Sequence, residues 1–83
     1  MSDAQIICKL LRFAFLEIRI HAKDDSRTVF AIAHTFHNIP SLLGSAINGV
    51  ITYEEVLARL LAESEQTGCS AWIQSHIQNL RNE

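Results

Sequence analysis

The sequence lacks the features that mark nucleic-acid-binding, membrane-spanning and metal- or redox-active proteins. Its seven Lys and Arg residues are scattered, and the formal net charge is −2, whereas phosphate binding requires a basic face. The N-terminus lacks the basic start of a secretory signal, and no apolar run approaches the roughly 20 residues that span a bilayer. The two cysteines, Cys8 and Cys69, are too far apart for a CxxC motif and are expected to be small buried thiols. We therefore expect a cytoplasmic protein with neither nucleic-acid nor membrane partners.

Charge is also scarce for so short a chain. Charged residues make up 19% of the 83 positions and hydrophobic residues 48%, against about 25% charged residues in an average domain. A small domain should deviate the other way, because more of its chain lies at the surface. We expect a single helical domain over residues 1–83, with an apolar patch left for a partner or for a second copy.

The spacing of apolar residues predicts an all-α protein, a small antiparallel bundle of about four helices with a short connecting helical turn. Ser2 and Gln5 have the spacing of a capping box, from which a first helix should extend to about Lys23. No alternating pattern is long enough to indicate a sheet. The short polar break that follows Lys23 favours an antiparallel second helix.

That second helix is predicted over residues 27–38, capped by Asp25 or Ser26 and stopped by Pro40. Residues 41–47 could form one or two helical turns. The buried side of the second helix is expected to carry five apolar residues and one histidine: Val29, Phe30, Ile32, Ala33, Phe36 and His37.

The last two helices have clearer signals. Thr52 and Glu55 form a second capping box, and Gly68 should end the helix that they begin. Ser70 is expected to cap the final helix, on which Trp72 lies among apolar residues and should be a core or interface anchor.

Polar residues on apolar helix faces suggest a ligand site. On a helical wheel Glu17 and His21 fall within the apolar arc of the first helix, His37 and His76 fall on apolar faces, and His34 lies at an edge. A buried carboxylate must be paired or neutral, so Glu17 should pair with His21 or His37. A metal set of Glu17, His37 and His76 is geometrically possible, although paired Glu-x-x-His and His-Glu-x-x-His motifs are absent. Histidines bonded to Glu17, a hydroxyl or a carbonyl are the favoured interpretation.

Two surfaces are candidates for a protein partner. The helix that begins after Thr52 has an acidic outer side, which is either a solvated face or a docking surface for a basic partner. The residues that form this side are Glu54, Glu55, Glu63 and Glu65. The apolar arc of the first helix is wider than one packed face requires. The candidate partner contacts are Phe15, at one edge of this arc, and Leu16, which lies on the otherwise polar strip beside Lys9. This surplus of apolar surface predicts a homodimer.

Catalytic motifs are missing: the chain has no G-x-S-x-G, P-loop or dinucleotide fingerprint, and no histidine lies near Cys8 in sequence. We therefore hypothesise a small non-catalytic interaction module without a cofactor, such as an adaptor, a regulator or an immunity- or antitoxin-like partner of a larger protein. The alternative is a metal- or small-ligand-binding bundle that uses Glu17 and the inward histidines.

Overall fold

The computed structural model describes residues 1–21, 23 and 27–83. These residues form helices and no strand, which confirms the predicted small all-α bundle. The expected caps at Asp25 and Ser26 lie outside the described residues. The helices are α1 (Asp3–His21), α2 (Arg27–Thr35), α3 (Ile39–Ile47), α4 (Tyr53–Thr67) and α5 (Ser70–Arg81).

Local capping signals set the start of α1 and both ends of α4, as predicted. The Gln5 amide donates to Ser2 Oγ at 3.3 Å, and the Ser2 amide donates to Gln5 Oε1 at 2.9 Å. The same reciprocal box begins α4, where the Glu55 amide donates to Thr52 Oγ1 at 3.0 Å. Gly68 ends α4 with a φ of +88°, a left-handed conformation that costs glycine little.

The region between α2 and α4 differs from the prediction. α2 ends at Thr35 rather than Asn38, and α3 begins at Ile39. Pro40 therefore lies in the first turn of α3 instead of stopping α2. The first turn of a helix accepts proline because an amide there has no partner within the helix. The predicted connecting turn is consequently a nine-residue helix.

Two other helix ends also differ from the prediction. α1 ends at His21, and Lys23 lies in the turn that follows. Ser70 is the first residue of α5 rather than its cap, and Cys69 occupies the capping position without a side-chain capping bond. Within the described part of the chain, no helix is long and apolar enough to cross a bilayer.

A single apolar core joins the helices, and α4 lies at its centre because it packs against each of the other four. α1 packs against α2, α4 and α5. The buried apolar side chains are Ile6, Ile7, Leu10, Ala14, Ile32, Phe36, Ile39, Ala46, Val56, Leu57, Leu60, Cys69, Ile73, Ile77 and Leu80.

A buried polar cluster fixes the C-terminal end of α2. Thr35 Oγ1 lies 2.6 Å from Thr67 Oγ1 and 3.1 Å from Cys69 Sγ, and it donates to the Ala31 carbonyl at 2.7 Å. These contacts tie α2 to the junction of α4 and α5. The face of α2 that turns inward therefore includes Thr35, which was not expected in the core.

This orientation overturns the predicted buried side of α2. Ile32 and Phe36 are buried as expected, but Phe30, Ala33 and His37 are exposed. The physical reason is that the helix turns Thr35 inward together with Ile32 and Phe36. Phe30, Ala33 and His37 lie on the opposite side and therefore face solvent.

Candidate partner-binding surface

Large apolar side chains are exposed on both of the first two helices. Phe15 is 69% exposed, Leu16 52% and Ile20 61% on α1, and Phe30 is 65% exposed on α2. An isolated exposed apolar residue needs no explanation, but a group of them on adjacent helices marks a candidate interaction site. We call Phe15 and Phe30, together with the groove described next, the α1–α2 face; Leu16 and Ile20 lie further round α1, away from the groove.

An apolar groove of about 300 Å³ lies between α1 and the segment that extends from α2 to the first turn of α3. Its residues are Leu11, Ala14, Phe15, Ile18, Ala33, Phe36, His37 and Pro40. The four from α1 follow the i, i+3, i+4, i+7 spacing of one continuous helical stripe. Such a groove can receive the apolar side chains of another helix.

The outer side of α1 is basic as well as apolar. Lys9, Arg12 and Arg19 are exposed, whereas the two acidic residues of the helix, Asp3 and Glu17, are half-buried. Arg12 and Arg19 are separated by seven residues and therefore lie on the same side of the helix, two turns apart. The charged residues that are exposed on α1 are thus all cations.

Glu17 has the partner that the sequence predicts but not the expected burial. Its Oε1 lies 3.7 Å from Nε2 of His21, and the two side chains are 33% and 43% exposed. His37 is exposed and lines the groove, so its predicted inward position is wrong for the reason given for α2. A pair with this much solvent contact contributes little to stability.

The other histidines also lie apart from Glu17. His34 Nε2 is 3.8 Å from Glu63 Oε1 at the surface, while His76 is half-buried between aromatic rings. Among the described residues, no group of three or more His, Cys, Asp or Glu side chains is arranged to hold a metal ion. The structure therefore does not assemble the hypothetical set of Glu17, His37 and His76.

An aromatic cluster surrounds His76. Its ring stacks on Phe13 with 4.8 Å between centroids and meets Trp72 at 4.4 Å. The rings of Trp72 and Phe36 meet nearly at right angles, with 6.3 Å between centroids. These contacts give His76 a packing role and make Trp72 an anchor between α5 and the core.

The four glutamates of α4 do not form one exposed acidic surface. Glu54, Glu55 and Glu65 are exposed, but Glu63 is half-buried and turned toward His34. Glu63 also lines a cavity of about 460 Å³ between the α2–α3 region and α4, where Arg59 carries the opposite charge. With one cation and one anion, the cavity has no charge preference for a ligand.

Comparison of the chain with protein-family models, with curated proteins and with solved structures finds no match. Its function must therefore be inferred from the chemistry of its own surface. The α1–α2 face is the most distinctive feature of that surface, because it joins exposed aromatic residues, an apolar groove and exposed cations.

Proposed function

We propose that the protein is a small, non-catalytic cytoplasmic interaction module that binds a protein partner through the α1–α2 face. The observation that carries this proposal is the exposure of Phe15 and Phe30 beside an apolar groove. Aromatic residues are enriched in the centres of protein interfaces, where they supply much of the binding energy.

The accessible surface area of the protein is larger than its mass predicts. The chain has 5568 Å² of accessible surface, whereas a folded monomer of its mass is expected to have about 5,000 Å². An accessible surface larger than the average for this mass agrees with apolar side chains that the fold leaves uncovered, among them Phe15 and Phe30.

The cysteines and His76 support the non-catalytic and cytoplasmic parts of the proposal. Cys69 is buried beside two threonine hydroxyls, and His76 is packed between aromatic rings, which are structural roles. Cys8 is a free thiol at the surface, so its predicted burial is wrong, and an exposed free thiol suits a reducing compartment.

The proposal can be tested by purifying the tagged protein from cells that naturally express it. We expect a stoichiometric partner to copurify with the wild-type chain and to be lost from a Phe15→Ser/Phe30→Ser variant. The matched control is Ile47→Ser/Val50→Ser, which removes two apolar residues that are 71% and 75% exposed elsewhere. A partner lost equally from both variants, or no partner at all, would contradict the proposal.

A further inference from the structure

We infer that the partner segment is an acidic amphipathic helix, whose apolar side chains enter the α1–α2 groove while its carboxylates face the cations of α1. This inference rests on the proposed function, because it specifies the chemistry of the partner on the same face. Its two parts, the apolar and the electrostatic, come from separate observations.

The apolar part follows from the shape of the groove. The α1 lining extends from Leu11 to Ile18, a rise of about 10 Å or two helical turns. Phe15 lies in the middle of this stretch, and Phe30 lies on α2 one turn before the groove residue Ala33. A helix that presents apolar residues at i, i+3 or i+4, and i+7 covers a stretch of this length.

The electrostatic part follows from the distribution of charge. The Lys and Arg residues are less evenly scattered along the chain than we expected: residues 9–27 contain five of the seven and three acidic residues, whereas residues 28–83 contain two basic and five acidic residues. Arg12, Leu16 and Arg19 follow one another at helical spacing on α1 and are exposed, and Lys23 is exposed in the turn that follows the helix. Carboxylates on a partner helix that lies along the groove would face this row and would raise its association rate and specificity.

The same charges disfavour a second copy of the chain on this face. A two-fold contact places one patch against its own image, so Arg12 and Arg19 would face a surface with the same excess of positive charge. Like charges brought together across an interface cost free energy. An anionic membrane would satisfy the cations, but a flat lipid surface would leave the concave groove between α1 and α2 unfilled.

Two synthetic helices of about five turns test the charge preference directly. Both carry the same leucine stripe at i, i+3, i+4 and i+7, with glutamate on the remaining surface of one and lysine on that of the other. Fluorescence anisotropy of the labelled peptides measures binding to the intact protein. We expect the glutamate peptide to bind, with an affinity at least about tenfold higher than that of the lysine peptide.

Substitutions at exposed positions then locate the bound peptide. Arg12→Glu/Arg19→Glu should weaken binding of the glutamate peptide by about tenfold or more, whereas Arg59→Glu/Arg81→Glu, which makes the same charge change elsewhere, should have a much smaller effect. Ala33→Trp should fill the groove and reduce binding by a similar factor. Its control is Ala58→Trp, at an exposed alanine of α4. Circular dichroism establishes that each variant is folded.

Several results would overturn the inference: no binding of the glutamate peptide, equal binding of the lysine peptide, or equal effects of the test and control substitutions. Stronger binding to phosphatidylserine vesicles would identify a membrane instead, and a dimer by sedimentation that Arg12→Glu/Arg19→Glu disrupts would identify a second copy. If the glutamate peptide does not bind, but a protein copurifies with the wild-type chain and is lost when Phe15 and Phe30 are replaced, the proposed function stands and only the partner chemistry is wrong. If no protein copurifies, the proposed function itself fails.

Discussion

Replacing Phe15 by alanine should leave the free energy of unfolding nearly unchanged, although phenylalanine is among the most apolar residues of the chain. A docking residue differs from a core residue in this respect, because its burial occurs only in the complex. Phe36 provides the matched comparison, since it is 8% exposed and contacts Trp72 within the core.

The structure sets the expected magnitudes. Full burial of a phenylalanine side chain contributes about 1.5–3 kcal/mol, and Phe15 buries only about a third of its surface, which corresponds to about 0.5–1 kcal/mol. The higher helix propensity of alanine offsets roughly 0.5 kcal/mol of this loss. Phe15→Ala should therefore change stability by about 0.5 kcal/mol or less, whereas Phe36→Ala should cost about 3–5 kcal/mol.

Urea denaturation followed by far-UV circular dichroism measures both values. A chain of this length has a total stability of about 4–12 kcal/mol, so Phe36→Ala should remove a large part of it and shift the midpoint strongly. If Phe15→Ala costs about 2 kcal/mol or more, Phe15 is part of the packed core. In that case the α1–α2 face loses its central residue and the proposed function loses its main support.

Four further substitutions test the local structure by shifts of the urea midpoint. Gly68→Ala should destabilise the protein by about 1–2 kcal/mol because the φ of Gly68 is +88°. Gly44→Ala should stabilise it by about 0.5–1 kcal/mol, because Gly44 lies inside α3 with open space at the added Cβ. Midpoint shifts of the same sign in the two variants would contradict this pair of predictions. Glu17→Ala should cost about 1 kcal/mol or less because its pair with His21 is partly exposed, and a loss of about 3 kcal/mol would indicate a buried pair. Thr35→Val should cost roughly 1 kcal/mol because it removes the contacts to Thr67 and Cys69, and an unchanged midpoint would show that the buried hydroxyl cluster contributes no net stability.

The parts of the fold that depend on neighbouring residues could be predicted from the sequence. The boxes at Ser2 and Thr52 and the left-handed Gly68 each involve residues at most four apart, so their signals are contained in short segments. Pro40 shows the limit of this reasoning, because proline both ends a helix and occurs in the first turn of the next one. Its neighbours did not distinguish these possibilities, and the structure has the second.

The candidate site was predicted only on α1. The apolar arc of that helix is too wide for one packed face, which indicates Phe15 as a partner contact, and Leu16 is indicated because it interrupts the polar strip of the same helix. On α2, by contrast, apolar residues occur around the whole helix, so the wheel could not show which side is buried. Thr35 decides the orientation through partners that are 32 and 34 residues away in sequence.

The orientation of α2 links the buried polar cluster to the proposed function. By burying Thr35 against Thr67 and Cys69, the chain places a polar residue where an apolar one was expected and leaves Phe30 and His37 facing outward. A rotation of α2 that buried Phe30 would gain apolar contacts in the free protein, but it would break this cluster and remove one edge of the groove. The polar contacts therefore favour the orientation that keeps the α1–α2 face available to a partner.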